Sequence, residues 1–198
     1  MVSKSDPASS QKERNKAVRW VVTIFLVTIV ISGAISMISD EIMSRSGILM
    51  AFIILMAIIM IGIIFDIIGV AVTSADETPF HSMAARKVAG AQESIRLLRN
   101  ASKVGSICND VIGDVCGVVS GSASATIAAL VISNIDIGWP RIVTLTMSAL
   151  VAGLTVGGKA IGKSFAMNSA TKIVHGVGRI IYTLHHIPAL FRKKKNKR

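Results

Sequence analysis

Residues 105–129 read GSICNDVIGDVCGVVSGSASATIAA, and the rest of the chain is read outward from them. Gly113, Gly117, Gly121 and Ala125 recur every four residues. On a helix that spacing makes one slowly drifting smooth seam. Beside the seam stand Asn109, Asp110 and Asp114, at the start of a run that otherwise carries no charge. Small residues let another helix backbone come close. Ionisable residues at membrane depth are costly and face protein more often than lipid. The stretch reads as a membrane helix packed tightly on a partner, with a polar patch near one end.

Composition agrees with that reading. The 198 residues are 52% hydrophobic, with a mean hydropathy of +0.63. This is too apolar for an ordinary soluble domain of this size. The net charge is +11, which in a soluble protein would point to nucleic acid. Here the basic residues flank apolar runs, so the anionic inner face of a membrane is the expected partner, and no nucleic acid is expected. Cys108 and Cys116 are eight positions apart on one predicted helix, about 12 Å along its axis, so no disulfide framework is implied.

Four apolar runs are long enough to span. Residues 1–19 are expected to be a basic cytosolic segment with a frayed or disordered start leading into a helix, and Trp20–Ile38 is the first span, longer than a signal-peptide core. A polar loop, SDEIMSRSG, leads to the second span, Ile48–Val72, which Asp66 interrupts. Residues 80–104 place Phe80, Met83, Val88, Ile95 and Leu98 among arginines and lysines, which predicts one or two amphipathic helices on the membrane surface. The third span covers about 106–133. NIDIGWPR (134–141) is a turn, with Trp139 at the interface and Pro140 starting the next helix. The fourth span covers about 142–161. Phe165, Ile173, Val174, Val177, Ile181 and Leu184 then predict a further surface helix, which Pro188 ends, and the tail FRKKKNKR closes the chain on anionic lipid.

Orientation follows from the basic residues. Alternate connecting segments hold 20 and 2 of the 22 lysines and arginines. Both termini and the middle segment are therefore expected in the cytosol, and the chain is expected to be a multi-pass protein of the plasma membrane. This topology brings Asp66, Ser74, Asn109, Asp110, Asp114 and Lys159 to a similar depth, near the cytosolic end of three spans. Carboxylates, an amide and a hydroxyl make a hard oxygen environment, suited to Mg²⁺. Lys159 argues against an occupied ion site. It either snorkels to the surface or pairs with the neighbouring carboxylates; three of them favour pairing.

GGKAIGKS (157–164) matches the phosphate-loop pattern literally. That loop must follow a strand and open a helix. Residues 142–158 are instead 17 positions without a charge, far longer than a usual strand. The glycines read as helix-packing residues. His185 and His186 are adjacent and point to different sides of a helix, so they make a poor metal pair. No nucleophile–histidine–carboxylate arrangement is present in the pattern, and no enzymatic activity is expected.

Three segments carry a family resemblance. TSADETPF (73–80), directly after an apolar span, resembles the F-S-x-S-E-T-A signature of the CNNM/CorC transmembrane domain. SICNDVIGD (106–114) resembles that family's I-G-N-x-x-x-N segment opening its next helix. GGKAIGKSFAMNSA (157–170) resembles its G-E-x-x-P-K-x-x-A segment ending its last helix. Order and spacing agree over residues 48–185. The resemblance implies a homodimeric protein related to Mg²⁺ and divalent-cation transporters, with an extra N-terminal span (20–38) and without the family's cytosolic CBS and CorC domains, 186–198 being a basic tail. It implies ion contacts from Ser74 and Asn109 and matches Glu77 and Lys163 to further polar positions. Two ligands are altered: the second asparagine falls on Gly113 and the glutamate on Lys159, while the proline falls on Gly162. The expected fold is an all-α integral membrane protein with four transmembrane helices and amphipathic juxtamembrane helices. The expected function is either cation transport with an altered ion site or a non-transporting scaffold that keeps the fold.

Overall fold

The computed structural model describes residues 7–134 and 138–195, and all regular structure among them is helical. Helix α1 covers Pro7–Arg45 and α2 covers Ile48–Ser74. Three short helices follow: α3 (Thr78–Ala85), α4 (Ala91–Arg99) and α5 (Ala101–Ser106). A π-helical turn, Ile107–Gly113, joins α5 to α6 (Asp114–Asn134). Helices α7 (Pro140–Asn168) and α8 (Ala170–Lys195) complete the chain. Four segments are long and apolar enough to cross a membrane: Val18–Met43, Ile48–Ser74, Ala101–Asn134 and Pro140–Asn168. The chain is thus all-helical, with the length and composition of a multi-pass membrane protein.

Helix α2 is the centre of the bundle. It is apolar on every side, as expected of a helix with neighbours or lipid all round, and α6, α7 and the π turn all pack on it. Helix α1 packs mainly on α6, and the side chains covered along it include Ile24, Thr28, Ser32, Ser36, Ser39 and Met43, a line of mostly small residues. Met43 is fully buried with Leu55, Ile59, Ile127 and Val151. The Thr126 hydroxyl donates to Asp40 Oδ1 at 3.1 Å, tying α1 to α6. A second core forms where α2 and α7 end. Val72, Phe80, Ala166 and Val174 meet there, so α3 and α8 are sealed onto the end of the bundle.

Helix α4 crosses α8 at a pair of glycines. Gly90 has φ +87°, a conformation glycine adopts without steric cost. A Cβ on Gly178 would overlap the Ser94 hydroxyl and stand 2.6 Å from the Gly90 carbonyl oxygen. Ser94 is fully buried and donates to Gly90 O at 2.9 Å and Val174 O at 3.2 Å. Helix α3 ends in a Schellman arrangement: Lys87 N–H bonds to Ala84 O and Val88 N–H to Met83 O. Lys87 takes the left-handed position at φ +58°.

Several sequence expectations need correcting. The polar stretch after the first apolar run is helical through Arg45, because the Glu41–Arg45 ion pair and the Asp40 contact satisfy its charges in place. The helix that the basic start leads into begins at Pro7; residues 1–6 lie outside those described. The third span begins at Ala101 rather than 106, and α7 runs on to Asn168, so Phe165 belongs to the fourth span. Helix α8 continues past Pro188 to Lys195. A proline within a long helix forfeits one backbone hydrogen bond and kinks it without having to end it. Trp139 is 70% exposed directly before Pro140, which starts α7 as read. Residues 135–137 of that turn lie outside those described.

Lys87→Gly relieves a left-handed side chain and should stabilise the protein by about 1 kcal/mol. Gly178→Ala should destabilise it by about 2 kcal/mol through overpacking. Thermal melting in detergent micelles checks both, and the two shifts are expected to be opposite in sign.

Candidate functional site

Gly62, Asp66, Gly69 and Thr73 are spaced four, three and four apart, so they share one face of α2. That face meets the start of the third span in antiparallel order. The Thr73 methyl lies 2.8 Å from where a Cβ on Gly105 would stand. A Cβ on Gly69 would overlap the Asn109 carboxamide, and one on Gly62 would stand 2.8 Å from Cys116 Cβ. The missing side chains let the helices approach closely over three turns. On the adjoining face of α2, Ile63 and Ile67 fill the spaces left by Gly158 and Gly162 of α7.

The π turn lies within this contact. Such turns widen the helix and are frequent where a helix carries function. Asn109 sits in it, half-buried, with its Oδ1 fully enclosed and without a hydrogen-bond partner among the described residues. One turn on, Gly113 leaves a space that two charged groups approach. Lys159 Nζ lies 3.5 Å and Asp66 Oδ1 3.6 Å from the position a Cβ on Gly113 would take. Lys159 Nζ also donates to Asp114 Oδ1 at 3.3 Å. Asp66 lies in the field of Lys159, Asp114 and Lys163. The Lys159 ammonium therefore pairs with Asp114, and Asp66 of a third helix faces the same space at Gly113. The Lys159 side chain is 22% exposed and that of Asp114 68%.

The sequence-identified residues divide. Asp66, Asn109, Asp114 and Lys159 gather on either side of Gly113 and Gly69. Ser74 does not join them: it is exposed at the end of α2, about 12 Å beyond Asp66 along the axis. There it lines a small polar pocket of about 240 Å³ with Asp76, Asn168 and Lys172. Asp110 is exposed in the π turn. Glu77 is outside the cluster, paired with His81 at 3.1 Å and Arg99 at 3.2 Å. Lys163 is exposed one turn beyond Lys159. In the seam, only Gly113 meets neighbours within the chain; Gly117 and Gly121 face open space, and Ala125 is exposed. Among the described residues no three histidine, cysteine or carboxylate side chains converge as a metal-holding group. Ser74 and Asn109 come from different levels of the bundle.

GGKAIGKS lies inside α7, where its amides belong to the helix and form no phosphate cradle. His186 Nδ1 donates to Tyr182 O at 2.9 Å and its ring lies against the Tyr182 ring, and both histidines of the pair are exposed. Outside the spans, the backbone N–H and hydroxyl of Thr78 hold the Asp76 carboxyl below its usual range. The stabilisation this gives is full above the ordinary carboxylate pKa and is lost as pH falls through the lowered value.

Sequence reading missed the glycine face of α2. Its signal was present: Gly62 and Gly69, seven apart, flank the one carboxylate in that span. The π turn had no comparable signal, because a widened turn arises from packing. No protein-family model, curated protein or solved structure matches the chain.

Removing the Lys159 ammonium should leave Asp114 unpaired, with Asp66 in its field. Lys159→Met should lower stability by about 1–2 kcal/mol, a value reduced by the exposure of Asp114. Adding Asp114→Asn to Lys159→Met should recover part of the loss. Melting temperatures of the single and double variants read this directly.

Proposed function

We propose that this chain is an integral membrane protein related to Mg²⁺ and divalent-cation transporters, with an ion site altered so that Lys159 supplies the cation. The observation that carries this reading is the Lys159 ammonium, 3.3 Å from Asp114 and beside Asp66 at Gly113. The CNNM/CorC resemblance puts a glutamate at position 159 and an asparagine at 113. A lysine and a glycine there exchange an anionic ligand for a cation and open the space that the cation enters. The enclosed, unpaired Asn109 oxygen is the remaining member of the ion set in this cluster. In this reading the chain forms a homodimer in the plasma membrane, through the small-residue seam of α6, with both termini in the cytosol. Of 22 basic residues, 20 fall on that side.

A second reading is favoured by the same ion pair: a scaffold or regulatory membrane protein that keeps the fold and moves no ion. An ammonium already paired with carboxylates occupies the place of a divalent cation and repels it.

Mg²⁺ titration of thermal stability separates the two possibilities. If Lys159 has replaced the ion, the parent shows no Mg²⁺-dependent rise, and Lys159→Glu combined with Gly113→Asn gains one. A Mg²⁺-dependent rise in the parent, abolished by Asn109→Ala, would instead establish a working cation site beside Lys159. Orientation is checked separately in intact cells, on a background with both cysteines replaced by alanine. An impermeant thiol reagent added outside should label Ser46→Cys and leave Gln92→Cys, exposed on α4, unlabelled; the reverse pattern would invert the topology.

A further inference from the structure

Helices α2 and α7 are both long and apolar enough to cross a membrane, and they end at Ser74 and Asn168. A pocket of about 240 Å³ opens between those two ends and the first turn of α8. Ser74, Asp76, Asn168, Ser169, Thr171 and Lys172 supply its polar lining. We propose that this pocket holds the headgroup of phosphatidylethanolamine, with the lipid ammonium on Asp76 and the lipid phosphate on Lys172. The proposal goes beyond the Mg²⁺ reading and does not depend on it.

The polar groups of the pocket are uncommitted. Among the described residues, the side chains of Ser74, Asn168, Ser169, Thr171 and Lys172 make no hydrogen bond or ion pair. Within the bundle, by contrast, the hydroxyls of Ser120, Ser124 and Thr155 donate to carbonyls of their own helices, at 2.9, 2.7 and 2.8 Å. Asp76 is held in place by Thr78, whose N–H and hydroxyl donate to its Oδ1 at 3.1 and 3.0 Å. Neither bond brings a positive charge. The charged lining is thus one carboxylate and one ammonium, and among the described residues neither stands in an ion pair. The Asp114–Lys159 pair differs, since its two charges meet at 3.3 Å and satisfy each other. A ligand that satisfies both charges of the pocket carries one of each sign.

Position makes that zwitterion a lipid. Leu150, Leu154, Ile161, Phe165 and Asn168 are four, seven, four and three residues apart, so they share one face of α7. The four apolar members are each more than half exposed. In a bilayer, acyl chains cover such a face. Asn168 ends it and lines the pocket, so a headgroup seated there has its chains along α7. A primary ammonium donates charge-assisted hydrogen bonds to the Asp76 carboxylate. The trimethylammonium of phosphatidylcholine has no N–H to donate. Phosphatidylglycerol brings an anion and no cation, which leaves Asp76 facing like charge.

Native mass spectrometry of the full chain, released from detergent micelles loaded with dioleoyl lipids that differ only in headgroup, gives apparent dissociation constants. Phosphatidylethanolamine should bind about tenfold tighter than phosphatidylcholine or phosphatidylglycerol, the equivalent of 1.4 kcal/mol. Asp76→Asn should bring it down to the phosphatidylcholine level. The asparagine oxygen still accepts from Thr78, so the turn keeps its bonds and the charge alone is lost. Lys172→Met should weaken phosphatidylethanolamine and phosphatidylcholine alike, because both carry the phosphate. Glycerophosphoethanolamine, which has the headgroup without the chains, should not displace the lipid at equal concentration. Equal binding of phosphatidylethanolamine and phosphatidylcholine, phosphatidylglycerol bound as tightly as phosphatidylethanolamine, or a preference unchanged in Asp76→Asn would overturn the proposal. So would displacement by glycerophosphoethanolamine, since the pocket would then serve a soluble ligand. None of these readouts involves Mg²⁺, so failure here leaves the ion-site reading to its own test.

Discussion

The close approach of α2 to the third span depends on two absent side chains. Gly62 and Gly69 let Cys116 and Asn109 rest where a Cβ would otherwise stand. In a bilayer, apolar side chains gain little by leaving lipid for one another, so association rests on close packing and on polar contacts. The glycine face supplies the first, and Asp66, on the same face between the two glycines, supplies the second. Bulk at either glycine would part the helices and carry Asp66 away from Lys159.

Once that distance is set, the charges follow. Gly113 faces Asp66 and leaves room for an ammonium from α7. Ile63 and Ile67 seat α7 through Gly158 and Gly162, so Lys159 reaches the same level. Three helices each contribute packing glycines and one charged residue of the cluster, and the Lys159–Asp114 pairing stabilises groups that would be costly alone at that depth. The π turn completes the arrangement by presenting Asn109 to Gly69. The same geometry leaves the outer face of α6 smooth and open, because the residues that could have filled it are glycine and alanine.

The surface layer is built by the same means. Helices α4 and α8 cross at Gly90 and Gly178, with Ser94 bonding across the crossing. Phe80 and Val174 bury this layer against the ends of α2 and α7. It is thereby joined to the end of the bundle that holds Lys159.

The amino-acid sequence by itself determined the number of long apolar helices, because span length and hydropathy are local properties that no partner has to supply. It also picked out Asp66, Asn109, Asp114 and Lys159, since a charge or amide in an apolar run is conspicuous in one dimension. The distribution of lysines and arginines supplied an expected orientation in the same way. Only the tertiary structure decided which polar residues meet. Ser74 lies a few residues past Gly69 in the chain yet opens on another pocket, because α2 carries it beyond the contact with the third span. It also decided that the tight packing within the chain belongs to Gly62 and Gly69, while Gly117 and Gly121 of the α6 seam meet no neighbour in it. Periodicity marks a face of a helix, but which neighbour occupies that face is set by the packing of all the helices together.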